Sequence, residues 1–144
     1  LSLRAEPLMP PLIYPIAFYV LYIFALFLAV AFVRVRGVKS GAVPLEYFAT
    51  YEGRGPPEWM VVLGRHYDNQ FQVPVLFLVS CVAALHISAG RDILVLSLSW
   101  SFIASRLLHT TVHLGGNNIV HRLTAYALGW LLLMALWLRL LLLN

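Results

Sequence analysis

Four long apolar runs, separated by short charged or glycine-containing breaks, organise this chain. Residues 7–33 carry no charged side chain and end at Arg34, Arg36 and Lys39. A second uncharged run, 69–90, holds Pro74 and His86 as its only unusual members. The third and fourth runs are 93–114 and 119–143. Each is long enough to cross hydrocarbon about 30 Å thick, which takes roughly 20 helical residues. The pattern predicts an all-α membrane protein. It is a single domain, 1–144, folded as a four-transmembrane-helix bundle with spans at about 11–33, 69–89, 93–114 and 119–143.

The breaks carry their own signals. Gly90-Arg91-Asp92 reads as a short turn with Asp92 as N-cap of the third helix. Gly115-Gly116-Asn117-Asn118 reads as a tight turn. Pro74 should kink or open the second helix. Pro56-Pro57-Glu58 looks like a helix start, so the second helix is expected to begin near Glu58 and project beyond the membrane. Loop 34–65 holds half of the ten basic residues, which places it and the 115–118 turn in the cytoplasm.

Composition supports this class. The chain of 144 residues is 61% hydrophobic and 11% charged, and its mean hydropathy is +0.83. Soluble domains are nearer 45–50% apolar and about 25% charged. A formal net charge of +4, spread along the chain, is loop charge that sets topology and not a nucleic-acid footprint. The single Cys81 sits in an apolar run and reads as buried and inert. The chain opens on Leu1 in place of methionine, which suggests a start short of the true one, and no cleavable signal peptide is visible.

Polar residues within the apolar runs carry the chemistry. Arg65, Asn69 and Gln72 fall at i, i+4 and i+7, and Arg106, Thr110 and His113 repeat that spacing. Arg122 and Tyr126 add an i, i+4 pair. A charged group deep in a bilayer costs roughly 2.5 kcal/mol or more, so such residues face a bundle interior or a wet cavity. The topology sets all eight at one depth, near the cytoplasmic ends of their helices. Guanidiniums offer forked donors to carboxylates, so the set suits a small ligand with several carboxylates. A nearby cation also favours a thiolate over a thiol. The competing reading makes Arg65 and Asp68 a surface pair and lets Arg122 snorkel to the interface.

His109 and His113 lie at i, i+4, and His121 follows across the turn. With no HExxH, no cysteine cluster and no carboxylate in these two helices, no metal site is expected, and His109 reads as a hydrogen-bonded bundle histidine. His66 and His86 read as interfacial.

These motifs, in this order, resemble the membrane-associated proteins in eicosanoid and glutathione metabolism (MAPEG), and are nearest that family's bacterial branch. Residues 65–77 resemble its R-x-x-x-N-x-x-E signature, and residues 106–113 resemble R-x-x-H-T-x-x-Y. Arg122 and Tyr126 match the arginine and tyrosine of the fourth helix. The resemblance covers nearly the whole chain. It implies a homotrimer in the bacterial inner membrane, with glutathione as co-substrate bound between subunits near the cytoplasmic face. Arg65, Asn69 and Gln72 would hold the tripeptide from one helix, and Arg106, Thr110 and His113 from the next. Arg122, with Tyr126 beside it, would stabilise the thiolate that attacks a lipophilic electrophile or a lipid hydroperoxide arriving from the membrane lipid.

Three positions depart from the family pattern. Gln72 stands where glutamate is usual, His113 where tyrosine is usual, and Asp68 where some glutathione-using members have arginine. An amide at 72 makes a weaker contact with an amino group than a carboxylate does. Two rival readings follow: a non-catalytic protein of the same fold that binds another anionic ligand, or an accessory subunit of a larger membrane complex.

Overall fold

The computed structural model describes residues 9–143. Pro7 and Leu8, which open the first apolar run, and Asn144 lie outside the described residues. Helix α1 (Ile13–Lys39) continues past Val33 and carries Arg36 and Lys39 in its last turn, where cations oppose the negative dipole end. A short helix α2 (Tyr47–Thr50) forms within the loop that follows. Helix α3 (Glu58–Asp68) starts directly after Pro57, with Glu58 on its positive end. It passes through a 3-10 turn (Asn69–Phe71) into α4 (Val73–His86). Helices α5 (Ile93–Leu114) and α6 (Ile119–Leu143) complete the chain.

Four helical segments are long and apolar enough to cross a membrane: Ile13–Lys39, Glu58–His86, Ile93–Leu114 and Ile119–Leu143. Among the described residues there is no strand. The chain crosses up and down, so the loop after α1 and the turn between α5 and α6 share one end of the bundle. Helical spans satisfy their own backbone hydrogen bonds, which lipid cannot do for them.

The second span is broken where its sequence forces it. Pro74 has no N–H for the carbonyl of Gln70, and its ring would clash with that carbonyl. Gln72 therefore leaves helical geometry, at φ −106° and ψ −109°. Asp92 caps α5: its Oδ1 accepts from the N–H groups of Leu94 (3.0 Å) and Val95 (2.9 Å).

Tyr19, Phe77 and Phe102 meet in the core, the two phenylalanines stacked with ring centroids 4.4 Å apart. Leu133, Leu136, Val95 and Cys81 fill in around them, all fully buried. The most extensive helix pairing is α5 against α6. Large apolar side chains such as Phe24, Leu28, Val82, Leu131 and Leu141 point outward, which suits a surface bathed in lipid.

Candidate functional site

Three elements converge on a cavity of about 580 Å³ near the end of the bundle that holds the α5–α6 turn. The end of α3 and its 3-10 turn supply Arg65, Asp68 and Asn69, and Gln72 follows at the break. Helix α5 supplies His109 and His113. Helix α6 supplies Ile119, Arg122, Leu123 and Tyr126. The break at Gln72 sets the amides of Asn69 and Gln72 on the same opening as Arg65.

Six of the eight residues expected at a shared site line this cavity: Arg65, Asn69, Gln72, His113, Arg122 and Tyr126. Arg106 and Thr110 do not. Thr110 turns inward, donating from Oγ1 to the Arg106 carbonyl (2.8 Å) and meeting the Tyr22 hydroxyl. Arg106 is 1% exposed and lies between α5 and α6. Its guanidinium sits 5.7 Å from the Tyr126 ring centroid, and Nη2 reaches His109 Nδ1 at 3.4 Å. Arg106 Nε and Nη1 have no hydrogen-bond partner among the described residues. Gly129 leaves room for this side chain: a Cβ there would stand 3.4 Å from Arg106 Nη1.

The cavity arginines are weakly committed elsewhere. Arg122 Nη1 donates to Asn117 Oδ1 at 2.9 Å, which steadies it across the turn. The alternative surface pair of Arg65 with Asp68 is not formed: the ion pair among the described residues is Arg139–Asp92, at the far end of the bundle. Asp68 lines the cavity itself. Arg65 and Asp68 also border a second cavity of about 230 Å³, walled by Tyr47, Phe48, Tyr51 and Met60.

His66 is not interfacial. It is fully buried, because α3 begins at Glu58 and its register turns residue 66 toward α1 and α5. Gln70 joins it: Tyr19 donates to Gln70 Oε1 (2.7 Å), and Gln70 Nε2 donates to the His66 carbonyl (2.8 Å). The Tyr22 hydroxyl lies 3.0 Å from His66 Nε2. The spacing of His66 and Gln70 at i, i+4 was a readable signal for this inner network. Tyr22 gave none, since α1 is apolar on every side.

The architecture is thus a four-span helical membrane protein with a cationic, amide-lined cavity at one end. The chain belongs to the MAPEG family, whose model matches residues 12–142, nearly its whole length. No curated protein and no solved structure matches it. Membership points in general terms to a glutathione-associated membrane function.

Proposed function

We propose that this chain is a membrane glutathione transferase or peroxidase that activates the thiol in the 580 Å³ cavity. One observation carries the reading: Arg65 and Arg122 face a common cavity with two amides and a phenol, and neither is ion-paired among the described residues. Two guanidiniums without an ion pair, against one cavity carboxylate (Asp68), favour an anionic ligand at the edge of a membrane bundle. Arg65, Asn69 and Gln72 hold the peptide carboxylates and amides. Arg122 stabilises the thiolate, and the Tyr126 hydroxyl donates a hydrogen bond to the sulfur. Arg106 supports the site from behind through His109 and Tyr126, and Thr110 does so through the Arg106 carbonyl and Tyr22. In conjugation the sulfur forms a bond to carbon, and the leaving group departs with the electron pair. The aromatic cavity beside Arg65 suits the lipophilic partner, entering from the lipid.

Asp68 bears on the missing family glutamate. It lines the same cavity one turn before Gln72 and offers a carboxylate to the ligand's ammonium. The chain works as a homotrimer in the bacterial inner membrane, with segment 34–65 (the end of α1, the connecting loop and the start of α3) and the 115–118 turn on the cytoplasmic side, where basic residues are retained. The amide at Gln72 favours a second reading, a non-catalytic holder of another anionic ligand or an accessory subunit of a larger membrane complex.

The deciding experiment follows thermal stability of the detergent-solubilised protein against rising glutathione. A saturable rise in the parent, absent in Arg65→Ala and Arg122→Ala, is expected. No rise at millimolar glutathione would overturn the thiol reading and leave the second one standing.

A further inference from the structure

Two imidazoles, His109 and His113, line the cavity, and a third, His66, packs against both. His66 of α3 and His109 and His113 of α5 each present a ring nitrogen, and these three atoms all lie within 4.8 Å of one another. The three side chains are at most 3% exposed. We propose that His66, His109 and His113 form a three-imidazole site for a zinc-class divalent metal ion, with its fourth position open to the cavity.

Hydrogen bonding around His66 determines which nitrogen is available. Thr110 spends its hydroxyl proton on the Arg106 carbonyl. Tyr22 must then be the donor in its bond to Thr110 Oγ1, and its oxygen is left to accept from His66 Nε2–H. That arrangement leaves a lone pair on His66 Nδ1, which faces His113 Nδ1 at 3.4 Å; the competing tautomer, in which Gln70 Nε2 donates to His66 Nε2 at 3.4 Å, carries the proton on Nδ1, and metal binding selects the first. A tetrahedral ion with metal–nitrogen bonds of about 2.1 Å has ligand–ligand edges of about 3.4 Å. Two of the three ligand atoms thus already stand at a tetrahedral edge.

On His109 the acceptor nitrogen is Nδ1, which Arg106 approaches only at 3.4 Å. Ligation takes that lone pair in place of the long contact, with a ring movement on the order of 1 Å. Tyr22 supplies the outer hydrogen bond to the ring of His66, the kind of support that metal-bound histidines require, while Gln70 bonds the His66 backbone carbonyl. His109 and His113 also line the cavity, so the open position faces Arg65 and Arg122. With guanidiniums this near and none of the ligands acidic, the ion needs an anion as its fourth ligand. Hydroxide or a thiolate satisfies that need. The proposal does not rest on the glutathione reading, because metal binding is measured without any thiol.

The test is a Co2+ titration of the full-length, detergent-solubilised protein after chelator treatment. One Co2+ per chain is expected, with the intense visible bands of four-coordinate cobalt, displaced by Zn2+ and accompanied by a higher melting temperature. His66→Gln and His113→Tyr should each abolish the bands. Tyrosine keeps an aromatic ring where His113 packs edge-on against His66 and His109, so this variant tests the ligand and not the packing. Tyr22→Phe should weaken binding about tenfold by releasing the orientation of His66. His121→Ala, on the exposed side of α6, should leave the titration unchanged. Absence of the bands at a hundredfold excess of Co2+ overturns the proposal. So does their survival in both His66→Gln and His113→Tyr, which would place the ion elsewhere. A proton shared between the two Nδ1 atoms gives the first of these outcomes.

Discussion

The two ends of this bundle treat charge in opposite ways. At one end Asp92 caps α5 and accepts from Arg139 of α6, with Nη2 to Oδ2 at 2.6 Å and Nε to Oδ1 at 3.3 Å. There a cation, an anion and a helix end satisfy one another. At the other end Arg65 and Arg122 face a cavity without ion pairs, and Arg106 lies buried behind with two idle donors. One end closes the fold. The other leaves Arg65 and Arg122 without an ion pair among the described residues, although Asp68 lines the same cavity. Paired arginine is a structural device here, and on the proposed function the unpaired arginines are the binding device.

This contrast breaks most visibly if the unpaired arginines are removed. At a hundredfold excess over its dissociation constant, a ligand that binds only the folded form raises stability by about 2.7 kcal/mol. Arg122→Ala and Arg65→Ala are expected to erase most of that shift in a glutathione melting series while barely moving the ligand-free midpoint. Arg139→Ala should do the reverse, keeping the shift.

Next in size is the closed end. Asp92→Ala removes a cap and an ion pair together and should cost about 2 kcal/mol of stability, read from thermal unfolding. Glutathione response should be intact. Equal losses of ligand response in Asp92→Ala and Arg122→Ala would show that the two ends are not separate.

A smaller effect sharpens the open end. Gln72→Glu restores a carboxylate for an amino group and should tighten glutathione binding by about 1 kcal/mol, since hydrogen bonds to charged groups exceed neutral ones. Asp68→Asn should loosen it by a similar amount if Asp68 carries that role. Isothermal titration of both variants measures the pair directly.

Smallest is the acid limb. The Arg139 bonds, followed by the backbone N–H of Val95, hold the Asp92 carboxyl at about 2, below its ordinary 3.8. A carboxyl with a lowered folded-state value contributes fully above that ordinary value, and its contribution fades as pH falls toward 2. Stability of the parent should therefore decline across roughly pH 4 to 2. Asp92→Asn should show a shallower decline in the same acid series.

Much of this was legible from spacing alone. Uncharged runs marked the spans, Asp92 announced its cap, and Pro74 announced the break that exposes Gln72. The stripes of Arg65, Asn69 and Gln72 and of Arg122 and Tyr126 meet one cavity. The α5 stripe divides, since Arg106 and Thr110 turn between helices while His113 reaches the opening. Periodicity tells which residues share a face; the angle at which a neighbouring helix covers that face decides how far along it water reaches. The inner network was hidden for a similar reason. His66 is buried because α3 leans on α1 and α5, and Tyr22 looks like any belt tyrosine until His66 and Thr110 meet it.

Cys81 is the only cysteine in the chain and is fully buried among the core residues that include Phe77 and Phe102. A sulfhydryl reagent in solution can meet it only when the helices part, so its labelling rate is a clock for opening of the bundle. The protein thereby carries an internal gauge of its own breathing. Any ligand seated among the arginines should slow that clock, whatever the ligand proves to be.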